Sequence, residues 1–418
     1  MPRLLAINLY YAPESFGGAT IVAEQTIARL QNILGWETLV ITTTRDHALP
    51  DYFFKRYRYG DMNVIAINLP SEPKGADVYR NHEMTSRVLQ IARIFRPDVV
   101  HCHSVQNMGC AFFADLKSMG IRLAVTLHDC WWLCERQFMI NSDNLYCNQW
   151  RIDEAQCRHC TSDYSEMTVR NAYLKRQLEH ADLLLFPSEF HLRLHEVNGV
   201  VGGRGKINKN GVMQPLPDYR AKRQAASAAR TKTAFGFVGG PGAIKGADQI
   251  IAALQQIDST DYVLKVVDAA GNLGSSWNDG RYWNVPGQVQ FVPPYRQSTM
   301  DDFFASIDVL LFPSQWKESF GLTVREALAR DVWVIATRAG GVAEDLIEGE
   351  NADIIPFGAG SQALSSCIER ALGQDRWCGY KNAHTDRIRS FDEQALELSS
   401  YLRALLDEPT PSALSVRS

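Results

Sequence analysis

Short apolar runs alternate with amphipathic stretches along nearly the whole chain, which predicts an α/β protein of two Rossmann-like, doubly wound parallel sheets. Two further observations point the same way. Glycine-rich loops follow the opening strand of each half, at Gly17-Gly18 and at Gly239-Gly240. The chain has 418 residues, more than the about 250–300 that a single core sustains. The expected division is residues 1–214, a linker at 215–231, residues 232–390, and a C-terminal helix over 391–418 that crosses back to the first domain before a frayed tail from Glu408.

In order, Leu4 to Leu9 reads as a buried strand and Ile21 to Leu34 as an amphipathic helix, with Gly17 and Gly18 between them. Thr38 to Thr43 and Val64 to Leu69 are further strands, and Asn81 to Phe95 is a helix that Pro97 ends. Val99 to His101 and Arg122 to Thr126 are strands whose exits carry His101, His103, His128 and Asp129. Ligands of such sheets gather at the carboxyl ends of the strands. His128 is the residue expected to face a ligand, and Asp129 is either a hydrogen-bond partner of the ligand or a helix N-cap.

In the second half, Thr233 to Val238 is a strand, Gly240 and Lys245 lie in its exit loop, and Asp248 to Gln256 is a helix. A strand, a glycine-rich loop and a helix start bring backbone amides and a lysine toward an anion. Tyr262 to Val267, Val289 to Tyr295 and Val332 to Thr337 are further strands. Ile307 to Phe312 is another, and a polar loop and a helix opening near Leu322 follow it. Glu318 and Glu326 bracket that loop at a spacing of eight. Ser319, Phe320, Gly321, Leu322 and Thr323 between them offer amides to a phosphate. A carboxylate at each end of an anion site suits a ligand with hydroxyls at both ends, as in a nucleotide sugar.

Hydrophobic residues make up 45% and charged residues 22%, ordinary for a globular protein, and the formal net charge of -4 gives no general case for nucleic-acid binding. No apolar run reaches the roughly 20 residues of a membrane helix, and the N-terminus runs directly into a strand. A cytoplasmic location is therefore expected, with a peripheral membrane contact left open by the basic stretch Arg204 to Lys232.

Of nine cysteines, seven lie between Cys102 and Cys160. Residues 130–160 read as an irregular insertion in need of a staple. Cys134, Cys147, Cys157 and Cys160 are candidate ligands of a structural zinc. Unliganded thiols, a Cys157–Cys160 redox pair and an iron–sulfur cluster are the alternatives.

The stretch from Leu311 to Ala329 resembles the signature of retaining GT-B glycosyltransferases of family 4, E-x-F-G-x-x-x-x-E, which Glu318, Phe320, Gly321 and Glu326 match position by position. The resemblance implies two Rossmann-like domains facing a central cleft, the C-terminal one holding a UDP- or GDP-sugar and the N-terminal one a glycan or lipid-linked acceptor. It implies hexosyl transfer with retention and no metal for catalysis, with bacterial surface polysaccharide as the product class. Glu326 would bond the ribose, Glu318 the sugar, Lys245 the diphosphate, and His128 would position the sugar. Gly17 and Gly18 match the family's first glycine pair. Gly240 stands where the family has an arginine, a departure that leaves an inactive nucleotide-sugar-binding or scaffold subunit as the rival reading. A GT-B epimerase or phosphorylase is a further rival within the fold.

Overall fold

The computed structural model describes residues 1–407 except 16, 74, 241–242, 269–275, 277–281 and 374–376. The expected frayed tail from Glu408 lies outside the described residues. The chain divides into two compact units, one of Met1–Met139, Asn148–Gly211 and Phe391–Ser418, the other of Ile140–Cys147 and Val212–Ser390.

The first unit runs β1 (Arg3–Ile7), α1 (Gly18–Asn32), β2 (Glu37–Thr44), β3 (Phe54–Tyr59), β4 (Met62–Asn68), α2 (His82–Phe95) and β5 (Val99–Cys102). It continues with α3 (Phe112–Ser118), β6 (Arg122–Thr126), α4 (Tyr164–Leu178), β7 (Leu183–Phe186), α5 (Glu189–Val197) and β8 (Gly205–Ile207). Its sheet has the order β3-β4-β2-β1-β5-β6-β7-β8. All neighbours pair in parallel except the β3–β4 hairpin. That hairpin is absent from the sequence reading, because Phe54-Lys-Arg-Tyr-Arg-Tyr59 lacks an apolar face and pairs at a sheet edge. Strands β1, β5, β6 and β7 are buried along almost their full length, as parallel strands covered on both faces must be.

Helix ends follow local chemistry. Asn81, Asp163 and Ser188 each accept a backbone N–H at the start of α2, α4 and α5.

The second unit carries α6 (Tyr219–Ala228), β9 (Thr233–Phe237), α7 (Ala247–Leu254), β10 (Tyr262–Val267), β11 (Gln288–Val292), α8 (Met300–Ala305) and β12 (Val309–Phe312). Then come α9 (Leu322–Leu328), β13 (Trp333–Thr337), β14 (Ala352–Ile355) and α10 (Gly360–Ala371). The sheet order is β11-β10-β9-β12-β13-β14, parallel throughout. The last helix, α11 (Phe391–Asp407), belongs to the first unit. There Leu398, Leu402 and Leu405 pack with Leu4, Trp36 and Ala124, and Trp36 Nε1 donates to Ser399 Oγ at 2.9 Å.

Residues 215–231, expected as a linker, carry α6 and fall in the second unit, where Lys222 and Arg223 of that helix find partners. Arg223 donates to the carbonyls of Phe304, Ile307 and Asp331 at 3.2, 2.9 and 2.7 Å, and Tyr219 Oη to that of Arg330 at 2.7 Å. A stretch poor in apolar residues is thus held by charge-assisted bonds to helix and loop carbonyls, which composition cannot reveal. Arg230 pairs with the buried Asp308 and Lys222 with Asp302. Among the described residues no helix is long and apolar enough to cross a membrane.

Candidate active site

In the second unit the strand-end loops converge on Glu318. Its main chain bridges to Gly340, and the Gly341 amide donates to its carbonyl at 2.9 Å, so the loop after β12 is tied to the loop after β13. Its carboxylate is nearly buried. Oε1 accepts from Lys245 Nζ at 2.9 Å and from Ser314 Oγ at 3.2 Å. Among the described residues Oε2 carries no hydrogen bond, which leaves one carboxylate oxygen for a ligand. Lys245 Nζ also lies 5.2 Å from the Trp316 ring centroid.

The loops after β9 and β12 also meet through their backbones. Gln315 N donates to Ile244 O at 2.8 Å, and Gly246, at φ +83°, leaves so little room that a Cβ would sit 2.1 Å from Pro313 O. Glycine is required there both by conformation and by space. Gly246→Ala is expected to lower unfolding free energy by about 3 kcal/mol or more, checked by urea unfolding.

Arg325, on α9 and 1% exposed, holds the next turn. Its guanidinium bonds Asp345 at 2.7 Å, Gly341 O at 2.7 Å and Phe320 O, and lies 4.1 Å from the Phe320 ring centroid. Gly321, at φ +88°, completes that turn, and a Cβ there would meet Val342 at 2.9 Å. Phe320 is therefore a packing residue. Sequence reasoning missed Arg325 and Asp345; an arginine beside the signature glutamate on an otherwise apolar helix face is the signal available for them. Glu326 is buried beside Tyr295 and Gln297, in the loop after β11. Burial raises its pKa, against the lowering effects of Arg330 and of a bond from Gln297. Gly240 adopts φ +72° with open space where a side chain would begin; residues 241–242 of its loop lie outside the described residues.

In the first unit the ends of β5 and β6 carry three packed imidazoles. His103 Nδ1 and His128 Nε2 share a hydrogen bond of 3.0 Å, and His101 Nε2 meets Thr126 Oγ1 at 2.8 Å. Burial keeps all three neutral, pushing His128 down to about 4 and His101 to about 3, with His103 also well below its ordinary value. His191 and His195 on α5, which the sequence reading passed over, extend the group, His191 Nε2 lying 3.1 Å from Asp129 O. Their four-residue spacing on the buried face of a helix was the available signal.

Asp129 is occupied by the protein. Its oxygens accept from Trp131 N at 2.9 Å, Gln137 Nε2 at 2.6 Å and Gln106 Nε2 at 3.3 Å. Gly17, at φ +81°, caps α1 and Gly18 begins it, the backbone change rather than close packing being what calls for glycine.

Two family models match, Glycosyltransferase Family 4 over residues 16–212 and Glycosyl transferases group 1 over residues 218–384. The chain belongs to the GT-B glycosyltransferases of family 4. Among solved structures, this glycosyltransferase is similar to sucrose-phosphate synthase from Thermosynechococcus elongatus, with TM-score 0.71 and 18% identity, covering 97% of this chain and 99% of that one. It is also similar to Anabaena HepE, solved with UDP and glucose, with TM-score 0.66 and 15% identity over 96% of this chain and 99% of that one. Those likenesses carry the fold.

Among curated relatives, a D-inositol 3-phosphate glycosyltransferase of Corynebacterium aurimucosum is 27% identical over 41% of this chain, a match spanning 42% of that protein's length. An uncharacterized 42.6 kDa protein in the cps region of Klebsiella pneumoniae is 24% identical over 82% of this chain and 87% of its own length.

Within the glycosyltransferase frame, the structure gathers Lys245, Glu318, Ser319 and Gly321 on the strand-end loops of the second unit, and puts Glu326 one helix turn deeper among Tyr295 and Gln297. Leu322 and Thr323 open α9, half-buried.

Cys134, Cys147, Cys157 and Cys160 are all partly exposed, and among the described residues no group of three or more His, Cys, Asp or Glu is placed to hold a metal. Hydrogen bonds fasten Trp131, Trp150 and Ile152 of the insertion within the first unit. Arg170 donates to Trp131 O at 2.7 Å, and Asn198 joins Ile152 N and Trp150 O at 2.9 and 3.0 Å.

Proposed function

We propose that the protein transfers a hexosyl group from a UDP- or GDP-linked sugar to a glycan or lipid-linked acceptor, with retention of anomeric configuration. The observation that carries this reading is the Lys245–Glu318–Ser314 arrangement. It pairs an ammonium suited to a leaving diphosphate with a carboxylate that keeps one oxygen open for a sugar hydroxyl. Glu326 bonds the ribose, and His128, held neutral, positions the sugar through a ring nitrogen.

Retention follows a front-face course. The acceptor hydroxyl attacks the anomeric carbon on the side the diphosphate leaves. The carbon–phosphate oxygen bond breaks as the new glycosidic bond forms, and the departing phosphate oxygen takes the hydroxyl proton. Asp129, the carboxylate at the histidine edge, is bound up in three hydrogen bonds, which favours this course over a covalent intermediate on it. The relative from the cps region supports a place in surface polysaccharide assembly.

The test is a thermal-shift screen of UDP-glucose, UDP-galactose and GDP-mannose, followed by nucleotide release with lipid-linked acceptors. Stabilisation by one donor with nucleotide release on adding acceptor is expected; donor binding without turnover favours the scaffold reading, which the missing arginine at Gly240 motivates. In the same screen Glu326→Gln is expected to weaken donor binding about tenfold, the loss of about one charge-assisted hydrogen bond; unchanged affinity removes Glu326 from the ribose.

A further inference from the structure

One segment of the insertion does not pack where its chain neighbours do. Ile140–Cys147 belongs to the second unit, whereas Met139 and Asn148 on either side belong to the first. The segment is a tight hairpin. Ile140 and Tyr146 form an antiparallel bridge, and the Asn141 amide donates to Leu145 O at 2.8 Å. Asn141 Oδ1 closes the turn, accepting from Asp143 N at 3.0 Å and Leu145 N at 2.9 Å. An asparagine bonded to the backbone two residues on fixes such a turn without a core beneath it. At the tip Leu145 is 65% exposed, and the next residue, Tyr146, is half-buried.

Tyr146 meets Phe357, in the loop after β14, edge to face with ring centroids 5.7 Å apart. The Lys317 ammonium lies against both rings, 5.8 Å from the Tyr146 centroid and 5.6 Å from that of Phe357. Lys317 immediately precedes Glu318, which sits in an extended bridge with Gly340. Successive side chains of extended backbone leave on opposite sides. Glu318 accordingly goes to Lys245 and Ser314, and Lys317 goes to the two rings. The backbone under the carboxylate is gripped from both sides, and the insertion supplies part of one grip.

We propose that Tyr146 is a positioning residue of the donor site: with Phe357 it holds Lys317, and so the backbone from which the Glu318 carboxylate reaches the sugar. The proposal rests on the reading of Glu318 as the residue that bonds the donor sugar. It makes the cysteine-bearing insertion part of the transfer apparatus, because its hairpin sets the geometry of a loop far along the chain. The acting group is the ring of Tyr146, so phenylalanine serves in its place.

Steady-state kinetics and amide exchange on the full chain test it together. Tyr146→Ala is expected to lower kcat about tenfold, the worth of one ring pair and one cation–ring contact. It is expected to speed deuterium uptake in residues 314–321 of the unliganded protein by a similar factor. Tyr146→Phe keeps the ring and is expected to restore both. Lys317→Ala is expected to match Tyr146→Ala, and the double variant to fall no further, because the two side chains act through one contact. Leu145→Ala, at the exposed tip, is expected to be parental in both measurements. Thermal shifts with UDP and with GDP are expected to stay unchanged throughout, since neither nucleotide carries the sugar that Glu318 bonds. Parental kcat or parental exchange in Tyr146→Ala overturns the proposal. So do multiplicative losses in the double variant, a nucleotide shift that weakens as kcat does, or a loss in Tyr146→Phe or Leu145→Ala as large as in Tyr146→Ala. A parent that releases no nucleotide from any sugar donor sinks the transfer reading instead, and the exchange measurement still decides whether the hairpin holds the loop.

Discussion

Glu318→Gln is expected to lower kcat by about a thousandfold in a transfer assay, with the unfolding midpoint within a few degrees of the parent's. The side chain keeps its shape and can still accept from Ser314, so the turn survives. What is lost is the charge that holds the Lys245 ammonium at 2.9 Å and that strengthens a bond to a sugar hydroxyl. Removing one preorganised charged group from a reacting centre costs about 2.7–4 kcal/mol of transition-state stabilisation, which is the factor stated. Lys245→Met is expected to cost a similar factor. The double variant is expected to fall little below either single one, because the two act as a unit. Parental kcat/KM in Glu318→Gln, or strictly multiplicative losses in the pair, would sink the arrangement proposed here.

Acid is expected to unfold the first unit. Five buried histidines are neutral in it, with His128 and His195 down at about 4, His101 at about 3, and His103 and His191 well below their ordinary value, burial being the largest cause in each. In the unfolded chain each takes a proton near about 6.5. A base whose folded pKa is depressed holds its full stability above the unfolded value and loses it as pH falls from there toward the folded one.

The window is therefore about pH 6.5 down to about 4, and each histidine adds a slope of up to about 1.4 kcal/mol per pH unit. Asp129, whose pKa burial raises, works the other way but is one group against five. The net loss between pH 7 and 5 is expected to be several kcal/mol. Calorimetry across that range measures it, with amide exchange in β5–β7 identifying the unit that opens. His195→Gln should flatten the slope by about one histidine's share. A melting temperature that holds constant from pH 7 to 5 would refute the account.

Much of the architecture was legible because burial on both faces writes itself as unbroken apolar runs. The first strand, the run into Phe312 and the strand ending at Thr337 are read from that pattern alone. The β3–β4 hairpin was not, since an edge strand with arginines and tyrosines carries neither period strongly. Helix α6 was not, since its stability rests on Arg223 and Tyr219 bonding carbonyls that lie 81 to 111 positions further along the chain.

The residues proposed to act on the donor, Lys245, Glu318, Glu326 and His128, could also be singled out in the sequence. Their engagement was not. Lys245 and Glu318 are 73 residues apart, and only the parallel pairing of β9 with β12 brings their loops together. Nor could spacing show that Gly246 must be glycine because Pro313 O lies against it, that Arg325 fastens the Phe320–Gly321 turn, or that His128 is tied to His103.

By itself, the sequence determined which segments are strands and helices and which loops carry glycine, lysine and glutamate, because local periodicity and turn chemistry act over a few residues. Only the tertiary structure decided which charges meet and which imidazoles are kept dry. Those outcomes depend on through-space distance and desolvation, and chain separation carries neither.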